Sequence, residues 1–249
     1  MGFVLLPRLP ESRVAARDGT PLHHAGHVSD GAFLRSALRN VTGGAAEFLP
    51  GLLLAPLVLH INGPLEAAYF GIAWTGASLL FLLSASIARS TFAEMARHGD
   101  HARLLRRALR QHALIVAPAA VAAVALSPVL LGLFGADYAA HGQLVFLLLA
   151  ASIVLIAPIY LYLALLRSRE DRWVLVLYPA VLVAALFTLT PLLEERFALA
   201  GVGLAWLAVH TPLAVFAGWK LRLALGQEEE VTLAHGEIAQ THRRAPHLE

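Results

Sequence analysis

Apolar and polar positions alternate along the chain in long blocks, and six of the apolar blocks are long enough to cross a bilayer. Each contains 21 to 24 residues, and about 20 helical residues span a hydrocarbon core of about 30 Å. The pattern predicts an all-α integral membrane protein, a bundle of six transmembrane helices. The predicted spans are residues 41–61, 67–88, 113–134, 143–166, 173–193 and 197–219.

The basic residues predict how this bundle is oriented. Cytoplasmic loops of membrane proteins carry an excess of Lys and Arg. Threading the chain through six spans places every Lys and Arg on one side except Arg196. We therefore expect a multi-pass protein of the cell inner membrane with both termini in the cytoplasm.

Three segments lie outside the predicted spans. Residues 1–40 read as a cytoplasmic N-terminal segment that ends in a short amphipathic helix. Residues 224–249 are polar and have no apolar core, so a disordered cytoplasmic tail is expected there. The loop after the second span contains a basic helix over about residues 101–111.

This basic helix is predicted from the separation of its leucines and arginines on a helical wheel. One arc carries Leu104, Leu105, Ala108 and Leu109, and the opposite arc carries Arg103, Arg106, Arg107 and Arg110. Such a helix lies in the membrane interface with its cations near anionic headgroups. The alternative is a solvated connector between two spans.

Composition excludes several classes of function. The chain is 58% hydrophobic and 14% charged, which is too apolar for an ordinary soluble domain. A net charge of +2 gives no support for a nucleic-acid partner, and the chain has no cysteine. Neither metal-ligand spacing nor a catalytic motif such as H-E-x-x-H or G-x-S-x-G occurs, so no metal, cofactor or enzyme activity is predicted.

Three ionisable residues in or beside the spans are candidates for substrate contact or ion coupling, because charge inside a membrane is costly. Glu47 is either a coupling carboxylate or an interfacial carboxylate favoured by a helix N-terminus. Arg89, at the end of the second span, either snorkels to the interface or contacts a headgroup phosphate. His210 either bonds across helices or lines a cavity, or it makes only a simple structural hydrogen bond.

Residues 40–223 resemble the second half of a known family in their spacing and small residues. The run Leu-Leu-Gly-Leu-Phe-Gly-Ala-Asp-Tyr-Ala-Ala (130–140) resembles the turn between the ninth and tenth helices of bacterial polysaccharide and O-antigen flippases. Ala-Gly-Val-Gly-Leu-Ala-Trp (200–206) resembles the start of their twelfth helix, and residues 71–94 are similar to their eighth helix. These flippases belong to the multidrug/oligosaccharidyl-lipid/polysaccharide exporter superfamily.

The resemblance implies a half-transporter or a fragment of one. Members of the superfamily have two six-helix bundles, and transport requires one bundle to move against the other. The implied function is translocation of lipid-linked oligosaccharide or polysaccharide precursors across the cytoplasmic membrane. The implied partners are the lipid bilayer, the lipid-linked glycan and a second six-helix bundle, either a missing N-terminal half or a partner subunit.

Two other functions fit the same pattern of spans. A six-span permease subunit of an ATP-driven exporter would use the helix near residues 101–111 to contact its ATPase. A membrane scaffold or a remnant without transport activity would also have these spans.

Overall fold

The computed structural model describes residues 49–98, 100–169 and 172–244. Over these residues the chain is almost entirely helical and contains no strand. The helices are α1 (Leu49–Asn62), α2 (Pro64–His98), α3 (His101–Gln111), α4 (Ala117–Gly132), α5 (Ala136–Ala151), α6 (Ile153–Ser168), α7 (Arg172–Phe197) and α8 (Ala200–Arg244). The all-helical class predicted from the sequence is confirmed for this part of the chain.

Several of these helices are long and apolar enough to cross a membrane, which indicates a membrane protein. Within the described ranges there are four, and the bent pair α5–α6 makes a fifth if it is counted as one span. The predicted first span, 41–61, is described only from Leu49 onward, where α1 is a shorter apolar helix. The structure therefore supports four or five membrane-crossing helices, whereas the sequence predicted six.

The predicted fourth span, 143–166, is two helices instead of one. α5 and α6 meet at Ser152 and bend by 41°. The Ser152 hydroxyl donates a hydrogen bond of 2.6 Å to the carbonyl of Leu149 in the preceding turn, and such back-bonding bends helices. Pro158 lies six residues later and has no N–H to donate to the carbonyl of Val154, so one more backbone hydrogen bond of the helix is missing.

The predicted third span does not start after a separate loop. A π-helical segment, His112–Val116, joins α3 to α4, so the helical path runs on from His101 to Gly132. Pro118 follows this segment, and a proline ring would clash with the carbonyl four residues earlier in a regular α-helix. The wider π turn accommodates the proline, which is a known cause of local helix distortion.

Basic helix α3 packs on protein instead of lying free at the surface. Leu104, Leu105 and Ala108 on its apolar arc are buried. They join a cluster with α2, α6 and α8 that includes Met95, Ala164, Leu165, Leu221 and Ala224. The arginines on the other arc stay exposed, and Asp100 caps the helix by accepting from the Arg103 N–H. The apolar arc predicted from the sequence is therefore largely covered by the bundle itself.

Two helices continue beyond the predicted spans. α2 runs on to His98, ten residues past the predicted end at residue 88. α8 runs through Arg244, so residues 224–244 are helical where a disordered tail was expected. This stretch is rich in Ala, Leu, Gln and Glu, which are strong helix formers. The N-terminal segment 1–40 and its amphipathic helix lie outside the described residues.

The surface of the bundle is apolar over much of its area. Leu133 is 77% exposed, Val154 is 73% exposed and Val121 is 69% exposed. In the most apolar stretch of the helical run from His101 to Gly132, only 17% of the residues are buried. Apolar side chains on this scale need lipid or another apolar partner to cover them.

Candidate functional site

The structure describes two of the three residues proposed from the sequence, Arg89 and His210, and their surroundings differ. Glu47 lies outside the described residues. Arg89 is exposed on α2, whereas His210 is 2% exposed on α8. His210 is the one whose surroundings suggest a site.

A buried chain of hydrogen bonds connects α8 to the break between α5 and α6. The Trp206 indole N–H donates to the Ser152 hydroxyl oxygen over 3.0 Å. His210 Nδ1 donates to the Trp206 carbonyl over 2.8 Å, because a carbonyl can only accept. The Nδ1 proton of a neutral His210 leaves Nε2 as an acceptor. The helix break thus carries a polar cluster, Ser152, Trp206 and His210, in the interior of an apolar bundle.

Aromatic rings surround this polar cluster. Trp206 contacts the ring of His210 at a centroid distance of 4.1 Å, Trp74 at 5.0 Å and Phe81 at 5.7 Å. Trp74 and Phe81 come from α2, so the rings tie α2 to α8 beside the break. Edge and offset ring contacts add stability beyond the area that they bury.

Small residues let the helices around the cluster approach closely. A Cβ atom on Gly203 of α8 would lie 2.7 Å from the Cβ of Leu148 on α5. A Cβ on Gly76 of α2 would lie 2.8 Å from the Phe146 ring, also on α5. Close backbone approach at glycine is typical of helix contacts in membranes.

A second buried histidine lies at the junction of α3 and α4, and sequence reasoning missed it. His112 Nδ1 donates to the Ala108 carbonyl over 2.9 Å. Its Nε2 then accepts from the Ser84 hydroxyl over 2.9 Å. This pair fixes the π-helical segment to α2, and its only sequence signal was a histidine at the start of an apolar run.

A buried carboxylate lies at the opposite end of the bundle. The Asn62 amide donates to Glu194 Oε1 over 2.7 Å, which joins the end of α1 to α7. Glu194 is 4% exposed, and its Oε2 atom has no partner among the described residues. Glu194 falls between the predicted fifth and sixth spans, at residues 173–193 and 197–219, and nothing in the sequence indicated that it would be buried.

Charges separate toward two ends of the bundle. We call the end where α2, α3, α6 and α8 pack together the basic end. It carries Arg89, Arg97, Arg103, Arg106, Arg107, Arg110, Arg167, Arg169, Lys220 and Arg222, with Glu94 and Asp100. The other, acidic end carries Glu66, Asp137, Glu194, Glu195 and Arg196.

The distance between the two ends matches a bilayer. The uncharged run at the start of α8, from Ala200 to Trp219, corresponds to about 30 Å of helix at 1.5 Å per residue. The run of α2 between Glu66 and Arg89 corresponds to about 33 Å by the same rise. Both lengths fit a hydrocarbon core of about 30 Å crossed with a modest tilt.

A groove of about 380 Å³ opens at the basic end, between α6 and α8. It is lined by Tyr162, Leu165, Leu166, Arg169, Lys220, Leu223 and Ala224. The Lys220 ammonium lies 4.9 Å from the Trp219 ring centroid and 5.7 Å from that of Phe216. The groove therefore combines two cations with apolar walls.

The site features define a helical membrane protein with a polar cluster at a broken helix and a cationic groove at one end. Among the described residues, no three His, Asp or Glu side chains cluster as a metal site would require. Comparison with family models, with curated proteins and with solved structures finds no match for this chain. The resemblance to polysaccharide flippases stays a prediction.

Proposed function

We propose that this bundle is one half of an exporter that moves lipid-linked oligosaccharide or polysaccharide precursors across the cytoplasmic membrane. The basic end faces the cytoplasm and the acidic end faces outward. Segregation of Arg and Lys toward one end supports this orientation, because cytoplasmic segments carry the basic excess.

The observation that carries the proposal is the helix break at Ser152, with Trp206 and His210 hydrogen-bonded beside it. Transporters place discontinuous helices and polar groups near the middle of the membrane, where substrate and coupling ions are handled. Polar side chains at that depth are costly and are seldom present without a role. A break held by a few hydrogen bonds is also a hinge about which α5 and α6 can change their angle.

A second bundle is required for alternating access, and the exposed apolar faces of α4 and α6 offer a surface for it. Leu133 and Val121 on the α4 side and Val154 on α6 are among the most exposed apolar residues. A second copy of the chain or a separate half supplies the opposing bundle in this proposal.

Reconstituted transport tests the proposal. The full chain is placed in vesicles that contain a fluorescent lipid-linked oligosaccharide, and an external quencher reports which leaflet holds the fluorophore. The mass of the purified complex gives the number of bundles in each assembly. We expect translocation from assemblies of two or more bundles and none from a monomer; a two-bundle assembly that moves no lipid-linked glycan would contradict the proposal.

Two histidine variants test whether the translocation rate depends on the polar cluster. His210→Phe removes the hydrogen bond to the Trp206 carbonyl and should lower the translocation rate. His60→Phe is the matched control, because His60 is exposed at the acidic end of α1. Equal translocation rates for the two variants would show that transport does not depend on the polar cluster.

The permease subunit of an ATP-driven exporter is the second candidate, favoured by α3. This helix is anchored to α2, α6 and α8 through Leu104 and Leu105 and exposes its arginines at the basic end. A coupling helix needs the same combination of firm anchoring and an exposed polar face. Transport that occurs only with ATP and a bound ATPase would favour this candidate, whereas transport without nucleotide favours the flippase. An assembled complex that transports under neither condition would favour a scaffold.

A further inference from the structure

We infer that the groove between α6 and α8 binds the diphosphate headgroup of a lipid-linked substrate, with the lipid chain along the leucines of the groove. This inference rests on the proposed function and names the site at which the bundle first holds its substrate. The juxtaposition that carries it is Arg169, the residue that caps the end of α6, with Lys220 of α8 across one cavity.

The charge of the groove fits an anion. Two of its seven described lining residues are cations, and none of the seven is an acid. Arginine offers paired N–H donors that match phosphate oxygens, and lysine offers a compact positive charge with three donors. A diphosphate carries enough oxygens to engage both side chains at once.

Lys220 is held in position by two aromatic rings. Its ammonium lies near the faces of Trp219 and Phe216. Phe216 in turn packs edge-on against Tyr162, which lines the groove, at 5.9 Å. A cation–π contact is worth about 0.5–1 kcal/mol at an exposed site and does not cancel the charge, so the ammonium still attracts an anion.

The position of the groove along the bundle fits a lipid headgroup. The uncharged run of α8 ends at Trp219, and Lys220 is the next residue. Tryptophan and tyrosine concentrate at the level of the headgroups. Leu165, Leu166 and Leu223 form apolar walls of the same cavity. A lipid bound there keeps its phosphates beside the cations and its chain beside the leucines.

Binding of a polyprenyl diphosphate to the purified full-length protein in detergent tests the inference. Native mass spectrometry measures the bound fraction across a titration, with phosphatidylglycerol and free pyrophosphate as competing probes. The double variant Arg169→Gln, Lys220→Gln should weaken binding of the polyprenyl diphosphate by at least about tenfold, since two charge-assisted contacts to phosphate are lost. Arg222→Gln is the matched control, because it removes an exposed cation of α8 outside the groove.

Two further variants separate binding from folding. Arg169 caps the end of α6, where a cation also stabilises the helix, so Arg169→Lys with Lys220→Arg keeps both charges and should retain binding. Leu223→Trp fills the groove without changing its charge and should weaken binding. Thermal unfolding of each variant reports whether the bundle is intact.

The outcomes are distinct. Binding that is lost in the groove variants and kept in the Arg222→Gln control supports the site, even if the chain transports nothing, so failure of the proposed function is seen separately. Equal binding by the double variant and the wild type would overturn the inference. Phosphatidylglycerol bound as tightly, and lost in the same variants, would overturn the assignment to a diphosphate and indicate an ordinary bilayer phospholipid.

Discussion

Removing the hydrogen bond between Trp206 and Ser152 should destabilise the bundle by an amount that a double-mutant cycle can isolate. Ser152 is fully buried and Trp206 is 5% exposed, and the N–O distance is 3.0 Å. Ser152→Ala leaves the indole N–H without its acceptor, which costs about 1–3 kcal/mol in water-soluble proteins. Hydrogen bonds between membrane helices average about 0.6 kcal/mol and reach about 1.7 kcal/mol, so we expect a coupling energy of about 1 kcal/mol.

The cycle consists of Ser152→Ala, Trp206→Phe and the double variant, unfolded with SDS in mixed micelles and followed by far-UV circular dichroism. This signal does not depend on the fluorescence of the tryptophan that is replaced. Ser127→Ala is the matched control, because Ser127 is also fully buried but donates only to the Val124 carbonyl in its own helix. A coupling energy for Ser152 and Trp206 within about 0.3 kcal/mol of zero, the usual limit of additivity, would refute the stabilising role of this bond.

Three further changes test the packing of the bundle. Leu105→Ala empties a site that is 1% exposed, so it should lower the free energy of unfolding by about 2–4 kcal/mol and speed proteolysis within α3. Gly203→Val brings a Cβ to 2.7 Å from Leu148; overpacking of this kind costs about 1–3 kcal/mol, seen as a lower thermal midpoint. Glu94→Gln breaks an exposed ion pair with Arg107 and should change stability by less than about 0.5 kcal/mol, so a larger loss in SDS titration would contradict this account.

Patterns of residues close together in the sequence predicted the features that depend only on those residues, such as the apolar arc of α3. A helical wheel of residues 101–111 placed Leu104, Leu105 and Ala108 on one arc, and these three residues are the ones that are buried in α3. The pattern depends only on the period of the helix. It could not show that the covering surface is α2, α6 and α8, because that requires the fold.

The helix break was not predictable from the same pattern. Residues 143–166 are mostly apolar and contain no charged residue, so they are predicted as one span. A bend would be expected at Pro158, yet α5 and α6 are separated six residues earlier, at Ser152. The hydroxyl of Ser152 bonds a residue 54 positions away, Trp206, and no local signal records such a pair.

The ends of the helices could not be read from the predicted spans, for a physical reason. Hydropathy shows where a chain leaves an apolar solvent, whereas a helix ends where its backbone hydrogen bonds end. α2 passes Arg89 and continues to His98, and α8 passes Lys220 and continues to Arg244. At the acidic end the helices do stop near the charges, because Gly63 and Gly135 adopt positive φ angles of 84° and 132° that glycine accepts readily.

The most direct test of the account is the accessibility of single cysteines at the two ends, in a chain that has no cysteine of its own. Ala140→Cys and Ala96→Cys are exposed positions at the acidic and basic ends, and Val121→Cys lies on the apolar surface. In intact bacterial cells a membrane-impermeant maleimide should label Ala140→Cys alone, should label Ala96→Cys only after permeabilisation, and should not label Val121→Cys. Labelling of Ala96→Cys in intact cells, or of Val121→Cys in the native protein, would contradict a membrane-spanning bundle with its basic end in the cytoplasm.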